Sequence, residues 1–98
     1  MITPTVGRMV WYWPHGSEVP EGTQPFSAQI AFVHSVHVIN IGYLDANGES
    51  HNAMGVRLLR EGEAPFARTA YCEWMPYQKG QAAKTEALER QILGTENA

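Results

Sequence analysis

Five short segments rich in β-branched and aromatic residues, each followed by turn-forming residues, constrain the fold of this chain more than any other feature. In chain order these segments are Val6–Trp13, Phe26–His34, Val36–Asp45, Ser50–Leu59 and Ala70–Met75. Segments of this length and composition predict β-strands. The 98 residues of the chain are enough for one such domain, because a second hydrophobic core would need at least about fifty more.

The connections between the segments limit how the strands can be arranged. Pro14–Pro25 contains three prolines and two glycines, so we expect a long exposed loop there. Asp45–Gly48 predicts a tight hairpin turn, because Asn-Gly accepts the positive φ angles that such turns require. Ser35 and Val36 form a connection short enough for another hairpin, and Arg60–Arg68 predicts a second loop.

Alternation along the strands predicts which side chains face the core, since successive residues of a strand point to opposite faces. The expected inward sets are Ala28, Ile30 and Phe32 in the second strand, Ile39, Ile41 and Tyr43 in the third, and Val56 and Leu58 in the fourth. Each set is apolar, as one buried face of a small β domain requires.

The character of the chain changes after Gly80. Gln81–Leu93 is rich in alanine and leucine and has neither proline nor internal glycine, and Gly94 follows where a helix would end. We therefore expect a helix over Gln81–Leu93. A helix of this length is marginal alone in water, so its stability depends on docking against the barrel or a partner.

The pattern as a whole predicts a mainly β fold, a small five-stranded antiparallel barrel with a C-terminal helix. The strand spacing resembles that of SH3-like barrels, in which the long first loop corresponds to the RT loop. On this interpretation residues 1–80 form the barrel domain and residues 81–98 form the helix and tail. A seven-stranded sandwich would need more chain.

Trp11-Tyr12-Trp13 is the most unusual cluster of residues in the sequence. In a strand, Trp11 and Trp13 share one face with Met9, and Tyr12 lies on the other. Two tryptophans on one face can close the barrel, or they can form an aromatic floor for a peptide or a methylated lysine. The sequence leaves both alternatives open.

The end of the barrel adds three more rings, and we expect the last strand to neighbour the first. A small barrel interior does not easily hold so many aromatic side chains, so some should lie outside, where an apolar patch usually marks a partner surface. The predicted partner-binding residues are Trp11, Tyr12, Trp13, Tyr71, Trp74 and Tyr77.

No motif in the sequence supports catalysis, and we expect no enzymatic activity, cofactor or metal. His34 and His37 flank a short turn and could bridge a metal ion with His15 or His51, but no carboxylate or cysteine accompanies them at local spacing. We therefore interpret the two histidines as solvated turn residues. Cys72 should be an inert core residue, because the sequence places no base beside it.

Charge and hydropathy restrict the class of partner. Seven basic residues against ten acidic ones give a net charge of −3, and no three basic residues lie close together. Nucleic-acid binding, a common role of small barrels, is therefore the weaker alternative to protein binding. No apolar run is long enough to span a membrane, and the N-terminus does not follow the order of a signal peptide.

Tyr71–Lys84, with its distinctive Trp-Met-Pro-Tyr-Gln stretch, resembles the closing segment of small hypothetical proteins of tailed bacteriophages and prophages. Pro4–Tyr12 is similar to their openings, and Val38–Ile41 followed by Asp45–Gly48 is similar to their middles. The function of such proteins is unknown, so the resemblance implies a context and no catalytic residues. That context is a phage accessory protein in the bacterial cytoplasm, or a minor virion component, with a phage or host protein as partner.

Overall fold

Each of the five predicted segments contains a strand in the computed structural model, which describes residues 2–80 and Lys84. The strands are β1 (Met9–Trp13), β2 (Phe26–Ser35), β3 (Val38–Leu44), β4 (Ser50–Leu58) and β5 (Tyr71–Glu73). The long first loop joins β1 to β2 as predicted, and a second long loop joins β4 to β5. Both β1 and β5 are shorter than their sequence patterns suggest.

The strands form a closed barrel in the order β1-β2-β3-β4-β5. Four of the neighbouring pairs are antiparallel, including the closing pair of β1 with β5. The pair of β4 with β5 is parallel, so the prediction of a wholly antiparallel barrel is wrong at this pair. The reason is geometric, because an odd number of strands cannot alternate in direction all the way around a closed ring.

The core lies inside this ring and follows the predicted alternation in most strands. Its most deeply buried members are Val10, Ala28, Ile30, Ile39, Ile41, Leu58 and Cys72. Ile2 also belongs to this cluster, although it precedes the first strand. Burying a Val, Leu or Ile side chain typically stabilises a fold by about 1.5–3 kcal/mol, so the aliphatic members of this set contribute strongly to closure of the barrel.

Phe32 departs from the predicted alternation. The register of β2 against β3 shifts by one residue between Ile30, which pairs with Ile41, and Phe32, which pairs with Asn40. An extra residue in one strand turns the following side chains to the opposite face. Phe32 is therefore 53% exposed, whereas Ile30 is buried, and the expectation that both face the core is wrong.

A short helix over residues 76–80 follows β5. Pro76 is its first residue, a position where the missing N–H of proline costs nothing. The Gln78 side chain accepts a hydrogen bond from the Met75 N–H at 2.9 Å and donates one to the Met9 carbonyl at 2.8 Å. The helix is thereby attached to the first residue of β1, which precedes the part of that strand that pairs with β5.

Apart from Lys84, which is helical, the helix predicted over Gln81–Leu93 lies outside the described residues. Within the described part of the chain, no helix is both long and apolar enough to cross a membrane.

Candidate interaction surface

Alternation in β1 separates its three aromatic residues. Tyr12 points into the barrel, where it is 6% exposed and packs at 4.7 Å, centroid to centroid, against the Tyr43 ring. Trp11 and Trp13 lie on the outer face and are half-buried. The prediction that the two tryptophans share one face is therefore confirmed, but Tyr12 is a core residue and contributes no exposed surface.

The three aromatic residues near β5 have different environments. Tyr71 and Trp74 are each 2% exposed, whereas Tyr77, in the short helix, is 75% exposed. The prediction that Tyr71 and Trp74 offer surface to a partner is therefore wrong as to exposure. The Arg8 guanidinium lies 5.9 Å from the centre of the Trp74 ring, so a cation–π contact accompanies the burial of that ring.

The Tyr71 side chain lies on the outer face of the barrel and not in its core, although it is buried. It pairs with Trp13 across the β1–β5 ladder, and the two rings stack with centroids 6.5 Å apart. Phe66, from the second loop, contacts Tyr71 edge-on at 6.4 Å. We call Trp13, Phe66 and Tyr71 the loop cluster. It forms because the two long loops fold over this part of the outer face.

Burial governs the titration of the groups around these rings. It is the main cause that raises the pKa of Tyr12 and Tyr71, with smaller contributions from Tyr43 and Cys72 at the first and from Glu73 at the second. Burial also raises the pKa of the Cys72 thiol to about 12. Cys72 is fully buried, as predicted, and remains a neutral thiol at physiological pH.

The two long loops are tied together at Gly16. The N–H groups of Ser17 and Glu18 each donate a 2.8 Å hydrogen bond, to the carbonyls of Phe66 and Ala67 respectively. Glu18 also forms a 3.0 Å ion pair with Arg68, although both side chains are well exposed. Backbone bonds of this kind hold the first loop in a fixed position over the loop cluster.

The first loop encloses a small cleft of about 80 Å³ next to the loop cluster. Its main apolar lining residues are Trp13, Pro14, Val19 and Phe26, and its lining surface is mostly apolar. The indole N–H of Trp13 is shielded from solvent and has no acceptor among the described residues. A buried donor without an acceptor is costly, commonly by about 1–3 kcal/mol, so an acceptor that reached this N–H would stabilise the protein.

Two shallower grooves lie on the outer face of the sheet, on either side of Leu44. The larger, of about 340 Å³, is lined in part by Met9, Gln29 and Gly42. The other, of about 320 Å³, extends toward Pro25 and the turn at Asp45. Both are open and contain many polar groups, so they are less suited than the loop cleft to hold an apolar side chain.

One end of the barrel carries a hydrogen-bonded cluster that the sequence patterns did not reveal. His51 stacks on Tyr43 with centroids 5.4 Å apart, and its Nε2 lies 2.7 Å from Asp45 Oδ2. Asp45 Oδ1 accepts hydrogen bonds from the Asn47 and Glu49 amides. The His51 hydrogen bond is the main cause that lowers the pKa of Asp45.

The Asp45, Glu49 and His51 side chains are close enough for one metal ion, with potential ligand atoms within 4.8 Å of one another. The hydrogen bonds of Asp45 to the Asn47 and Glu49 amides and its contact with His51 belong to the hairpin turn itself. A signal for this cluster existed in the sequence, since Tyr43 and His51 occupy equivalent positions on either side of the Asn-Gly turn.

The two histidines considered as metal ligands have separate partners. His34 Nε2 lies 2.9 Å from Asn40 Oδ1, whereas His37 Nδ1 faces Glu63 Oε1 at 3.6 Å. Neither belongs to a group of three potential metal ligands within the described residues. Glu63 in turn accepts a 2.7 Å hydrogen bond from Arg57, which is the main cause that lowers its pKa.

Comparisons of the chain with protein-family models, with curated proteins and with solved structures found no match. The candidate site is therefore defined by its geometry alone.

Proposed function

We propose that this barrel is a non-enzymatic protein-interaction module that receives an extended, largely apolar segment of a partner protein in the loop cleft. Trp13 is the central residue of the site. An apolar side chain of the partner occupies the space between Pro14, Val19 and Phe26, and a neighbouring carbonyl of the partner backbone accepts a hydrogen bond from the indole N–H of Trp13.

The observation that carries this proposal is an apolar cleft lined in part by Trp13, a residue whose shielded indole N–H has no acceptor among the described residues. Ligand sites commonly have this composition, in which an apolar lining supplies affinity and a few polar groups fix orientation. Trp and Tyr are also the side chains that contribute most to protein interfaces. Exposed Tyr77 and half-buried Trp11 are candidates for further contacts with the partner outside the cleft.

We include in the proposal that the barrel is SH3-like, a likeness supported by its five strands and by the long loop between β1 and β2. Together with the resemblance to proteins of tailed bacteriophages, it suggests an accessory protein that acts in the bacterial host or in the virion, with a phage or host protein as partner. The net charge of −3 favours a protein partner over a nucleic acid.

The test is a selection of peptides from a random library displayed on a carrier, followed by titration of the selected peptides. We expect wild-type protein to enrich sequences with an aliphatic residue or proline at one fixed position. Trp13→Phe keeps an aromatic ring but has no N–H, so we expect it to bind the same peptides about five- to tenfold more weakly. Val19→Lys places a charge in the cleft and should abolish binding.

The matched control is Val6→Lys. Val6 is 65% exposed and lies outside the cleft, so this variant adds the same charge without blocking the site. The proposal requires wild-type affinity from Val6→Lys. Selection of no consensus, or equal binding by Val19→Lys and Val6→Lys, would contradict the proposed site.

A further inference from the structure

Within the described residues, strand β4 pairs along the whole of one edge and along only a small part of the other. It pairs with β3 from Ser50 to Arg57, whereas β5 pairs only with Arg57 and Leu58. Every residue from 50 to 55 except Ala53 is exposed. Among the described residues, no backbone hydrogen bond reaches residues 50–56 from the side opposite β3.

The register identifies which backbone groups point toward this free edge. In an antiparallel ladder, residue pairs that exchange hydrogen bonds alternate with pairs that do not. The Asp45 N–H bonds to the Glu49 carbonyl, so the next pair, Leu44 with Ser50, is of the second kind. By the same alternation, Gly42 and Asn52 also form a pair that does not exchange hydrogen bonds. Ser50 and Asn52 therefore direct both their N–H and C=O groups outward.

This edge has few of the features that normally keep strand edges from pairing. Natural proteins protect exposed edges with charged residues, prolines, bulges or covering loops. Residues 50–56 contain neither a charged residue nor a proline. The one protective feature is an irregularity at Met54 and Gly55, where the Gly55 N–H bonds to Asn40 Oδ1 at 2.8 Å. The segment from Ser50 to Ala53 is regular, and no residue of the described part of the chain pairs with its outer edge.

We infer that the protein forms a two-fold symmetric dimer in which residues 50–52 of β4 pair antiparallel with the same residues of a second copy. Ser50 of each copy lies opposite Asn52 of the other, and the two His51 residues lie at the axis. The four outward N–H groups then bond to the four outward carbonyls. In this register Met54, which is 77% exposed, lies opposite Gly48 of the other copy.

The free edge of another copy is the matching partner because a single strand related by a two-fold axis is complementary to itself. Its outward donors and acceptors alternate with the same spacing, so every group finds a counterpart. Residues 50–56 contain no Asp, Glu, Lys or Arg, so two identical edges meet without like-charge repulsion between such side chains. This inference does not depend on the loop cleft, which is lined by residues of the first loop and its flanking strands.

The test measures the mass of the full chain in solution by analytical ultracentrifugation over a range of concentrations. We expect the wild-type mass to rise with concentration from the 10.9 kDa of one chain toward twice that value. Asn52→Pro removes an outward N–H that β3 does not use, so the barrel should fold. It removes two of the four intermolecular hydrogen bonds, and we expect the dissociation constant of the dimer to rise about 30-fold or more.

Asn52→Ala is the matched control, because it changes the side chain and retains the backbone N–H, and we expect it to dimerise like the wild type. Amide hydrogen exchange of the wild type gives a second measurement that needs no variant, since the Ser50 and Asn52 amides should become protected only at high concentration. A chain that stays monomeric up to about 1 mM, or a dimer that Asn52→Pro leaves unchanged, would overturn the inference.

Discussion

At the scale of single residues, Gly16 fixes the position of the first loop. Its φ angle is +80°, and a Cβ atom built there would lie 2.6 Å from the Ala67 carbonyl oxygen. Glycine is therefore required twice, once by the backbone conformation and once by the close approach of the second loop. The sequence showed a glycine in a loop but could not show that another loop packs against it.

We expect Gly16→Ala to lower the free energy of unfolding by about 3 kcal/mol, because it adds a backbone clash to the cost of the left-handed conformation. Gly22→Ala is the matched control, since Gly22 has a similar φ of +85° and no atom within 4 Å of the position that the added methyl group would take. It should cost about 1 kcal/mol. Urea unfolding measures both, and equal losses would contradict the tight packing of the two loops.

Two carboxylates that each have a basic side chain as hydrogen-bond partner give a second prediction at the scale of single residues. The pKa values of Asp45 and Glu63 are lowered in the folded protein, by hydrogen bonds from His51 and Arg57 above all. A lowered folded-state pKa stabilises the protein at neutral pH, and this contribution is lost as pH falls from the ordinary carboxyl range through the lower folded value. We therefore expect the free energy of unfolding to decrease below about pH 4.

Asp45→Asn tests whether the Asp45 carboxylate contributes to this pH dependence, because asparagine keeps an acceptor for the Asn47 and Glu49 amides but cannot ionise. Urea unfolding between neutral and acidic pH should show a shallower pH dependence for this variant than for the wild type. Glu21→Gln, at an exposed position of the first loop, is the control and should leave the pH dependence unchanged. The assignment is wrong if the two variants behave alike.

At the scale of secondary structure, the helix over residues 76–80 depends on one side chain. Gln78 accepts a hydrogen bond from the Met75 N–H at the start of the helix and donates one to the Met9 carbonyl on β1. Gln78→Ala should cost about 1–2 kcal/mol, since both bonds are lost. Gln78→Glu keeps the acceptor and should cost about half as much, measured by thermal or urea unfolding. Equal losses would mean that the acceptor contributes nothing.

The strands were predictable from the sequence because their turns are encoded locally. The Asp45 side chain and Gly48, with a φ of +81°, form the predicted hairpin turn. The bulge in β2 was not predictable, because Ile30, Ala31 and Phe32 are all apolar and alternation alone cannot place an extra residue. The helix over residues 76–80 was not predicted, because the helical pattern identified in the sequence begins only after Gly80.

At the scale of the whole molecule, closure of the barrel explains which parts of the site were predictable. The sequence indicated an excess of aromatic rings, and alternation placed Trp11 and Trp13 on one face. It could not predict that Tyr71 is covered by Phe66, because that contact depends on how two long loops fold over the outer face. The cleft beside Trp13 is for the same reason a product of tertiary structure.

The parallel pair β4–β5 follows from the same closure. Once β1 pairs with both β2 and β5 antiparallel, β5 must run in the direction of β4. Parallel neighbours need a long connection, and the second loop between Leu58 and Tyr71 supplies it. That loop then carries Phe66 and Ala67 to the first loop, so the topology of the barrel and the geometry of the cleft have one origin.

The most direct measurement of the proposed function is a titration of ¹⁵N-labelled protein with a selected peptide, followed by nuclear magnetic resonance of the three indole N–H groups. We predict that the Trp13 signal shifts downfield on binding, as a donor does when it gains an acceptor, while the signal of buried Trp74 stays in place. Binding that leaves the Trp13 indole signal unchanged and shifts residues away from the first loop would contradict the account.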